Sequence, residues 1–98
     1  MVKINWTHEA QMWLRDIYNY IASDNPAAAQ STISGIFNKA QLLEQHPQLG
    51  HRYEAETSRE IRILLYGHYR IAYLIRPDES IDVLGVFHGA LNIERYLI

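Results

Sequence analysis

The stretch from Arg59 to His88 constrains the fold most, because it holds three consecutive segments rich in β-branched and aromatic residues. These segments span residues 61–66, 69–76 and 81–88, and two short turns separate them. Neighbouring strands joined by connections this short usually pair antiparallel. The sequence therefore predicts a mainly antiparallel sheet in the second half of the chain.

The two faces of this predicted sheet differ in character. Side chains alternate between faces along a strand, so each segment divides into two sets. The almost wholly apolar set is the predicted core face: Ile61, Ile63, Leu65, Tyr69, Ile71, Tyr73, Ile75, Ile81, Val83 and Phe87. The other set is apolar in its middle and cationic or titratable at its borders: Arg62, Leu64, Arg70, Ala72, Leu74, Arg76, Leu84, Val86 and His88. A purely solvent-facing set would be more polar, so we expect this second face to stay open and to bind a partner.

The first half of the chain predicts one strand and two helices. Residues 2–6 alternate between apolar and polar, as a short strand does. Thr7 is a suitable N-cap for a helix over residues 8–23, whose apolar residues recur at spacings of three and four. Asn25–Pro26 then caps and starts a second helix. Gly35 in its middle favours close approach of the first helix.

The element order β-α-α-β-β-β predicts an α+β fold, with a helical hairpin packed on one face of the sheet. Residues 51–58 are polar and predict a loop, whereas residues 93–98 predict one short helical turn or an extended tail. A chain of 98 residues without internal repeats fits a single domain over residues 1–98.

Composition excludes several classes of function. The chain has no cysteine, which rules out disulfides, a thiol nucleophile and thiolate metal sites, and which fits a reducing cytoplasm. The formal net charge of -2 provides no overall positive field for nucleic acid or anionic lipid. No apolar stretch approaches the roughly 20 residues of a membrane span, and polar residues interrupt the N-terminus too early for a signal peptide. We therefore expect a cytoplasmic protein.

Catalytic and metal-binding motifs are weak. The five histidines are scattered and form no pair at metal-ligand spacing, so no metal is predicted. The glycines match no phosphate-binding loop, and no nucleophile elbow is present, so no cofactor is predicted.

The remaining constellation is Arg62, Arg70, Arg76 and His88, which the strands place on one face if the register allows. Arginine can hold phosphate with two hydrogen bonds, and histidine can transfer protons near neutral pH. One interpretation is thus an RNA-cleaving or nucleic-acid-contacting face. The other is that the arginines pair with acids around an apolar patch that another protein covers. The nearby acids leave the local charge near balance, which favours the second.

Several segments, in this order and spacing, resemble the RelE/ParE superfamily of bacterial toxins from type II toxin–antitoxin systems. The segments are Ile17–Ile21, Pro26–Ala29, Leu42–Gly50, Glu60–Arg62, Tyr69–Tyr73 and Val86–Ala90. The likeness covers nearly the whole chain.

The superfamily holds two activities, and the resemblance bears on both. RelE-like members cleave messenger RNA on the ribosome with a cluster of basic side chains and often a tyrosine. Arg70 matches the arginine of their central strand, and Tyr96 matches their C-terminal tyrosine. On the preceding strand, however, aliphatic residues around Ile61 and Ile63 stand where those members have lysines. ParE-like members poison DNA gyrase without that cluster. The ending Phe87–Ala90, followed by Asn92–Glu94, is similar to the ParE type.

The resemblance thus implies a ParE-like toxin that inhibits DNA gyrase by binding, without chemistry of its own. It further implies growth inhibition, plasmid stabilisation, a place in the bacterial cytoplasm, and neutralisation by a cognate antitoxin whose disordered tail folds on contact. The expected antitoxin-binding residues are the apolar ones of the open face: Leu64, Ala72, Leu74, Leu84 and Val86.

Two alternatives stay open. One is a RelE-like ribosome-dependent mRNA endoribonuclease. Its expected catalytic residues are Arg62, Arg70, His88 and Tyr96, which would stabilise phosphate charge and transfer protons. The other is a decayed toxin that only binds an antitoxin.

Overall fold

The computed structural model describes residues 2–55, 57–89 and 93–97, in which two helices pack on a five-stranded sheet. The elements in chain order are β1 (Ile4–Trp6), α1 (His8–Ala22), α2 (Pro26–Gln41), a 3-10 turn (Leu42–Glu44), β2 (His51–Arg52), β3 (Glu60–Tyr66), β4 (Tyr69–Ile75), β5 (Ile81–His88) and α3 (Glu94–Leu97). The strand order is β1-β5-β4-β3-β2, with β1 parallel to β5 and the other pairs antiparallel. The predicted α+β class, with a helical hairpin on a mainly antiparallel sheet, is confirmed.

Side-chain caps fix where the two long helices begin. The Thr7 hydroxyl accepts a hydrogen bond from the Ala10 amide at 3.2 Å and donates one to the Val83 carbonyl at 2.7 Å, so the start of α1 is tied to β5. The Asn25 side chain accepts from the Ala28 amide at 3.1 Å, and Pro26 occupies the first helical position. These contacts satisfy amides that have no partner within the helix.

β2 corrects the predicted loop. His51 and Arg52 pair antiparallel with Ile63 and Arg62 of β3. The backbone of Tyr53 extends this edge by donating to the Ile61 carbonyl at 2.8 Å. Two residues are too few to show alternation, so this strand could not be predicted from the pattern of side chains.

The first core lies between the helices and the face of the sheet that they cover, called here the helix face. Its buried members are Ala10, Ile36, Leu43, Leu64, Ile71, Tyr73, Ile81, Val83 and Val86. Gly35 of α2 is required by this packing, because a Cβ built on it would lie 1.8 Å from the hydroxyl oxygen of Tyr66. The predicted reason for this glycine was wrong: the ring of a strand residue fills the space, not the first helix.

A second core lies on the opposite side of the sheet, called here the far face. Its buried members are Ile61, Ile63, Ala72, Phe87, Ile93 and Leu97, and the last two come from the segment that forms α3. Arg59 fastens this segment by donating from Nη2 to the Leu97 carbonyl at 3.1 Å. The C-terminal segment thus forms the short helix that was one of the two predicted outcomes, although Ile98 lies outside the described residues. The expectation that the far face stays open is wrong at its centre.

The phase of β3 explains part of this error. Leu64 pairs with Ile71 and Ile63 pairs with Ala72, so Leu64 faces the helices and Ile63 faces away. The predicted assignment was the reverse. Because Leu64 and its neighbours are apolar on both faces of β3, alternation alone could not decide the phase.

A β-bulge in β5 explains the rest. The pairing with β4 steps from Ala72 opposite Gly85 to Tyr73 opposite Val83, which leaves Leu84 as the extra residue. Two residues of the bulged strand then oppose one of its partner, and alternation shifts by one position. Val83 and Val86 therefore both enter the first core although they are three residues apart, and Phe87 enters the second.

Candidate functional site

The five residues predicted to bind an antitoxin do not form one surface. Leu64 and Val86 belong to the first core and are 5% and 0% exposed. Ala72 lies on the far face but is also fully buried. Only Leu74 and Leu84 remain half-buried, at the margin of the second core. The predicted single open face is therefore wrong, because the strand phase and the bulge divide its members between the two cores.

Leu74 and Leu84 adjoin the ion pair of Arg76 and Asp82, in which Asp82 is buried and Arg76 is exposed. Arg76 donates from Nε to an oxygen of Asp82 at 2.6 Å, and Asn5 donates to the other oxygen at 3.2 Å. The hydrogen bond and the charge of Asp82 raise the pKa of the Arg76 guanidinium. Arg76 thus pairs with an acid, as the second interpretation of the arginines expected.

Arg62 serves the loop before β2. Its Nε donates to Glu60 at 2.9 Å, and its Nη1 donates to the Gly50 carbonyl at 2.7 Å. A guanidinium that holds both an acid and a backbone carbonyl is fixed in place by its fork of donors. The geometry indicates a structural role for Arg62.

Tyr73 binds the same loop through its hydroxyl group. Its hydroxyl donates to the Pro47 carbonyl at 2.7 Å and accepts from the Gly50 amide at 2.9 Å. Burial raises the pKa of this phenol above its usual value. We call the segment Pro47–Gly50, with Arg62 and Tyr73, the loop anchor.

The other three candidate catalytic residues lie around the far end of β5. Arg70 pairs with Phe87 across the strands and donates to the Gly89 carbonyl at 3.4 Å. The ring of Tyr96 stacks on Phe87 with 5.6 Å between centroids. His88 instead lies against Tyr69, with 5.8 Å between ring centroids and an edge-on angle of 86°.

The structure therefore does not gather the four predicted catalytic residues. Arg62 lies at the loop anchor, Arg70 and Tyr96 flank Phe87, and His88 lies against Tyr69. General acid–base catalysis requires groups within hydrogen-bond reach of the same reacting atoms. Arg70 shares the neighbour Phe87 with Tyr96 and lines one cleft together with His88, whereas Arg62 lies apart from these three.

Two adjoining clefts were missed by the sequence reasoning. The first, of about 460 Å³, lies between α1 and the sheet and is lined by Trp13, Asp16, Ile17, Tyr20, Tyr69, Val86 and His88. The second, of about 440 Å³, lies at the β3–β4 turn and is lined by Leu65, Gly67, His68, Tyr69, Arg70, His88 and Gly89. Tyr69 and His88 line both, and we call the combined surface the hairpin corner. Tyr20 lines the first cleft with a side chain that is 83% exposed.

In the parts of the chain that the structure describes, neither a metal-binding group nor a membrane-spanning helix is found. Histidine and acidic side chains of residues 2–55, 57–89 and 93–97 form no group of three that could hold a metal ion. None of the described helices combines the length and the apolar character that crossing a bilayer requires.

Comparisons with known proteins define the class. The model of the family described as the ParE toxin of type II toxin–antitoxin system, parDE, matches residues 4–92. A protein of Sinorhizobium fredii strain NGR234, named as a candidate toxin, Y4kP, is 31% identical over 87 residues, which cover 89% of this chain and 88% of the relative. A chain solved from the chromosomal ParDE toxin–antitoxin system of P. aeruginosa has the same fold: the TM-score is 0.74 at 21% identity, with 90% of this chain and 96% of that chain covered.

The fold and these matches place the chain among the toxins of type II toxin–antitoxin systems. Within that class it belongs to the ParE toxin family. The resemblance stated from the sequence, including its preference for the ParE branch, is confirmed. Part of the motif that carried this preference, Ala90 to Asn92, lies outside the described residues.

Proposed function

We propose that this toxin inhibits DNA gyrase by binding and that a cognate antitoxin neutralises it in the bacterial cytoplasm. Membership of the ParE family over residues 4–92 is the observation that carries the proposal. Gyrase works on chromosomal and plasmid DNA in the cytoplasm, so its inhibition there would stop growth and could stabilise a plasmid that encodes both partners.

The geometry of the arginines supports action by binding. Arg62 is engaged by Glu60 and by the Gly50 carbonyl, and Arg76 is engaged by Asp82. A guanidinium that already holds partners within the chain has fewer N–H donors and less net charge to offer a phosphate. Arg62 also lies apart from the other three candidate catalytic residues, Arg70, His88 and Tyr96.

For the antitoxin, we propose contact at the accessible margin of the far face. Leu74 and Leu84 are the two members of the predicted set that remain partly exposed. They lie on the neighbouring strands β4 and β5, beside the Arg76–Asp82 pair. An extended or helical segment laid across this margin would bury both leucines and would gain apolar contact area.

A supercoiling assay tests the proposed target. Purified toxin is added in increasing amounts to gyrase, ATP and relaxed plasmid, and the products are resolved after detergent and protease treatment. We expect loss of supercoiling and accumulation of linear plasmid, and we expect the purified antitoxin to reverse both. Undisturbed supercoiling at a large excess of toxin would rule out gyrase as the target.

The RelE-like alternative keeps two observations in its favour: Arg70 and Tyr96 both neighbour Phe87, and Arg70 and His88 line one cleft. It predicts cleaved transcripts in cells that express the toxin. The double variant Arg70→Ala and His88→Ala tests it, with Arg15→Ala on the exposed side of α1 as the control for a lost cation. Toxicity that survives the double variant would remove this ribonuclease site.

A further inference from the structure

A second pair of adjoining clefts lies at the end of β4 that is opposite the hairpin corner, between the loop anchor and the β4–β5 turn. Their volumes are about 660 and 500 Å³, and Val2, Pro47 and Glu79 line both. We call the combined surface the turn groove. Clefts of this size can hold the side chains of a ligand.

The turn groove carries the net negative charge of the chain. Its charged lining residues are one cation, Lys3, and three acids, Glu44, Asp78 and Glu79. With histidine neutral, their charges sum to -2, which equals the formal net charge of all 98 residues. The charges outside the groove therefore balance, so the excess of acid is concentrated at one place on the surface.

The contacts of these acids within the chain come from neutral groups. Gln41 donates from Nε2 to Glu44 at 2.6 Å, and Ser80 donates to Asp78 from its hydroxyl at 2.6 Å and from its amide at 3.0 Å. The two bonds from Ser80 lower the pKa of Asp78, so this carboxyl is charged near neutral pH. Among the described residues, no ion pair joins Glu44, Asp78 or Glu79 to a cation.

The guanidinium of Arg76 does not cancel this charge. Arg76 attracts Asp78, but its ion pair and its hydrogen bond are with the buried Asp82. The pair of Arg76 and Asp82 is neutral as a whole. The carboxylates of the turn groove therefore keep their excess over the cations around them.

Hydrogen bonds fix the walls of the turn groove. One wall is the loop anchor. In the β4–β5 turn, the Arg76 amide donates to the Ser80 carbonyl and the Glu79 amide donates to the Arg76 carbonyl, each at 2.8 Å. The Ile81 amide donates to the Lys3 carbonyl at 2.9 Å, which joins the turn to the segment before β1. A surface that is already ordered loses less entropy when a ligand binds.

Apolar side chains lie beside these charges. Val2, Pro47, Leu49 and Ile75 line the smaller cleft, and Leu49 is 46% exposed although it stands on the anchored loop. A surface that presents apolar and acidic groups together is complementary to a segment that carries apolar and basic side chains.

We propose that the turn groove binds a basic segment of a partner protein. An apolar side chain of that segment packs against Leu49, and its lysine or arginine side chains face Glu44, Asp78 and Glu79. A metal ion fits less well, because histidine and acidic side chains of the described residues form no group of three that could hold one. Nucleic acid has the wrong sign of charge for this surface. The groove would bind such a segment whether or not the chain inhibits gyrase, so an unaffected supercoiling assay would leave this binding intact.

A peptide titration tests the chemistry of the ligand on the intact protein. The probe is a short fluorescein-labelled peptide that contains several lysines and one leucine, followed by fluorescence anisotropy. The matched probes are the same peptide with glutamine in place of every lysine, and labelled oligothymidylate of equal length. We expect the lysine peptide to bind most tightly and to weaken as salt is raised, because screening reduces attraction between exposed charges.

Three outcomes of this titration would overturn the proposal. The first is equal binding of the glutamine peptide, which would show that charge does not matter. The second is tighter binding of the oligothymidylate. The third is displacement of the lysine peptide by Mg²⁺ at concentrations where Na⁺ of equal ionic strength has no effect, which would make the groove an ion site.

Substitutions of acids test the location. We expect the pair Glu44→Gln and Glu79→Gln to weaken binding of the lysine peptide about threefold to tenfold, as expected for the loss of two charge pairs near the surface. The control pair is Asp24→Asn and Glu54→Gln, at two exposed acids outside the groove. Both pairs raise the net charge by the same amount, so attraction to the protein as a whole would weaken binding equally in both. Equal losses would therefore refute the assignment.

A second comparison tests the apolar contact without removing charge. Leu49→Ala should weaken binding of the lysine peptide, whereas Leu42→Ala should not, although the two leucines are 46% and 45% exposed. Because both side chains are about half exposed, we expect both variants to keep the fold, which circular dichroism checks. Unchanged binding in Leu49→Ala would show that no apolar side chain of the ligand packs there and would overturn this part of the proposal.

Discussion

Replacing Tyr73 with phenylalanine removes a single oxygen atom that makes two buried hydrogen bonds. The hydroxyl donates to the Pro47 carbonyl and accepts from the Gly50 amide, at 2.7 and 2.9 Å. The Tyr73 side chain is fully buried and Gly50 is buried as well, so water cannot easily replace either contact. A net loss of about 1 kcal/mol for each bond, plus the penalty for a buried amide without a partner, predicts a fall of about 2–3 kcal/mol in the free energy of unfolding.

Urea unfolding followed by circular dichroism measures this change. With a denaturant slope of about 1–3 kcal/mol per molar, the midpoint should fall by about 0.7–3 M. Tyr20→Phe is the matched control, because the same atom is removed from a side chain that is 83% exposed. This control should shift the free energy of unfolding by less than about 0.5 kcal/mol. Equal midpoints for Tyr73→Phe and the parent would show that the hydroxyl does not stabilise the loop anchor.

The same pair of proteins predicts a difference at high pH. Burial raises the pKa of Tyr73, so the folded protein holds the phenolic proton more tightly than the unfolded chain does. The resulting stability is fully present below the unfolded pKa of about 10 and is lost as the pH rises through the higher folded value. The parent should therefore lose stability more steeply than Tyr73→Phe above about pH 10, and the gap between them should narrow. A gap that stays constant over this range would contradict the assignment.

Two further predictions concern the packing and the partner surface. Gly35→Ala should destabilise the fold by about 1–3 kcal/mol despite a gain in helix propensity, because the new Cβ meets Tyr66, and this penalty should vanish in a Tyr66→Ala background. Thermal unfolding of the parent, the two single variants and the double variant measures this. Additive effects would show that the two sites do not meet. Leu74→Glu should weaken antitoxin binding about tenfold or more, because it places a charge in an apolar contact, whereas Leu42→Glu on the 3-10 turn should not. Calorimetric titration with the antitoxin measures both affinities. Equal affinities would show that the antitoxin does not contact Leu74.

Local sequence signals were enough for the helices and for most strand bounds. Thr7 and Asn25 cap the helices that they were expected to cap, and β5 spans the predicted residues 81–88. The phase of β3 was not predictable, because Ile63 and Leu64 are equally suited to a core and each face of this sheet has one. A sheet covered on both sides removes the polar face that would set the phase.

The candidate site was less predictable than the fold. The bulge at Leu84 depends on pairing with β4 and has no signal in the sequence of β5 alone. The hairpin corner combines Tyr20, the turn at His68 and the end of β5 at His88, which are far apart along the chain. Periodicity describes one element at a time, so it could not show that these three places meet.

The parallel pairing of β1 with β5 also has a consequence for biosynthesis. Ile4 lies opposite Ile81 and Asn5 opposite Asp82, so β1 must wait for a partner strand whose residues are made 77 positions later. Domains form as their parts emerge during translation, and contacts between such distant segments form late. A growing polypeptide of this toxin thus cannot complete its sheet until the residues of β5 have been made, which gives a cell that makes it an interval before the toxin is folded.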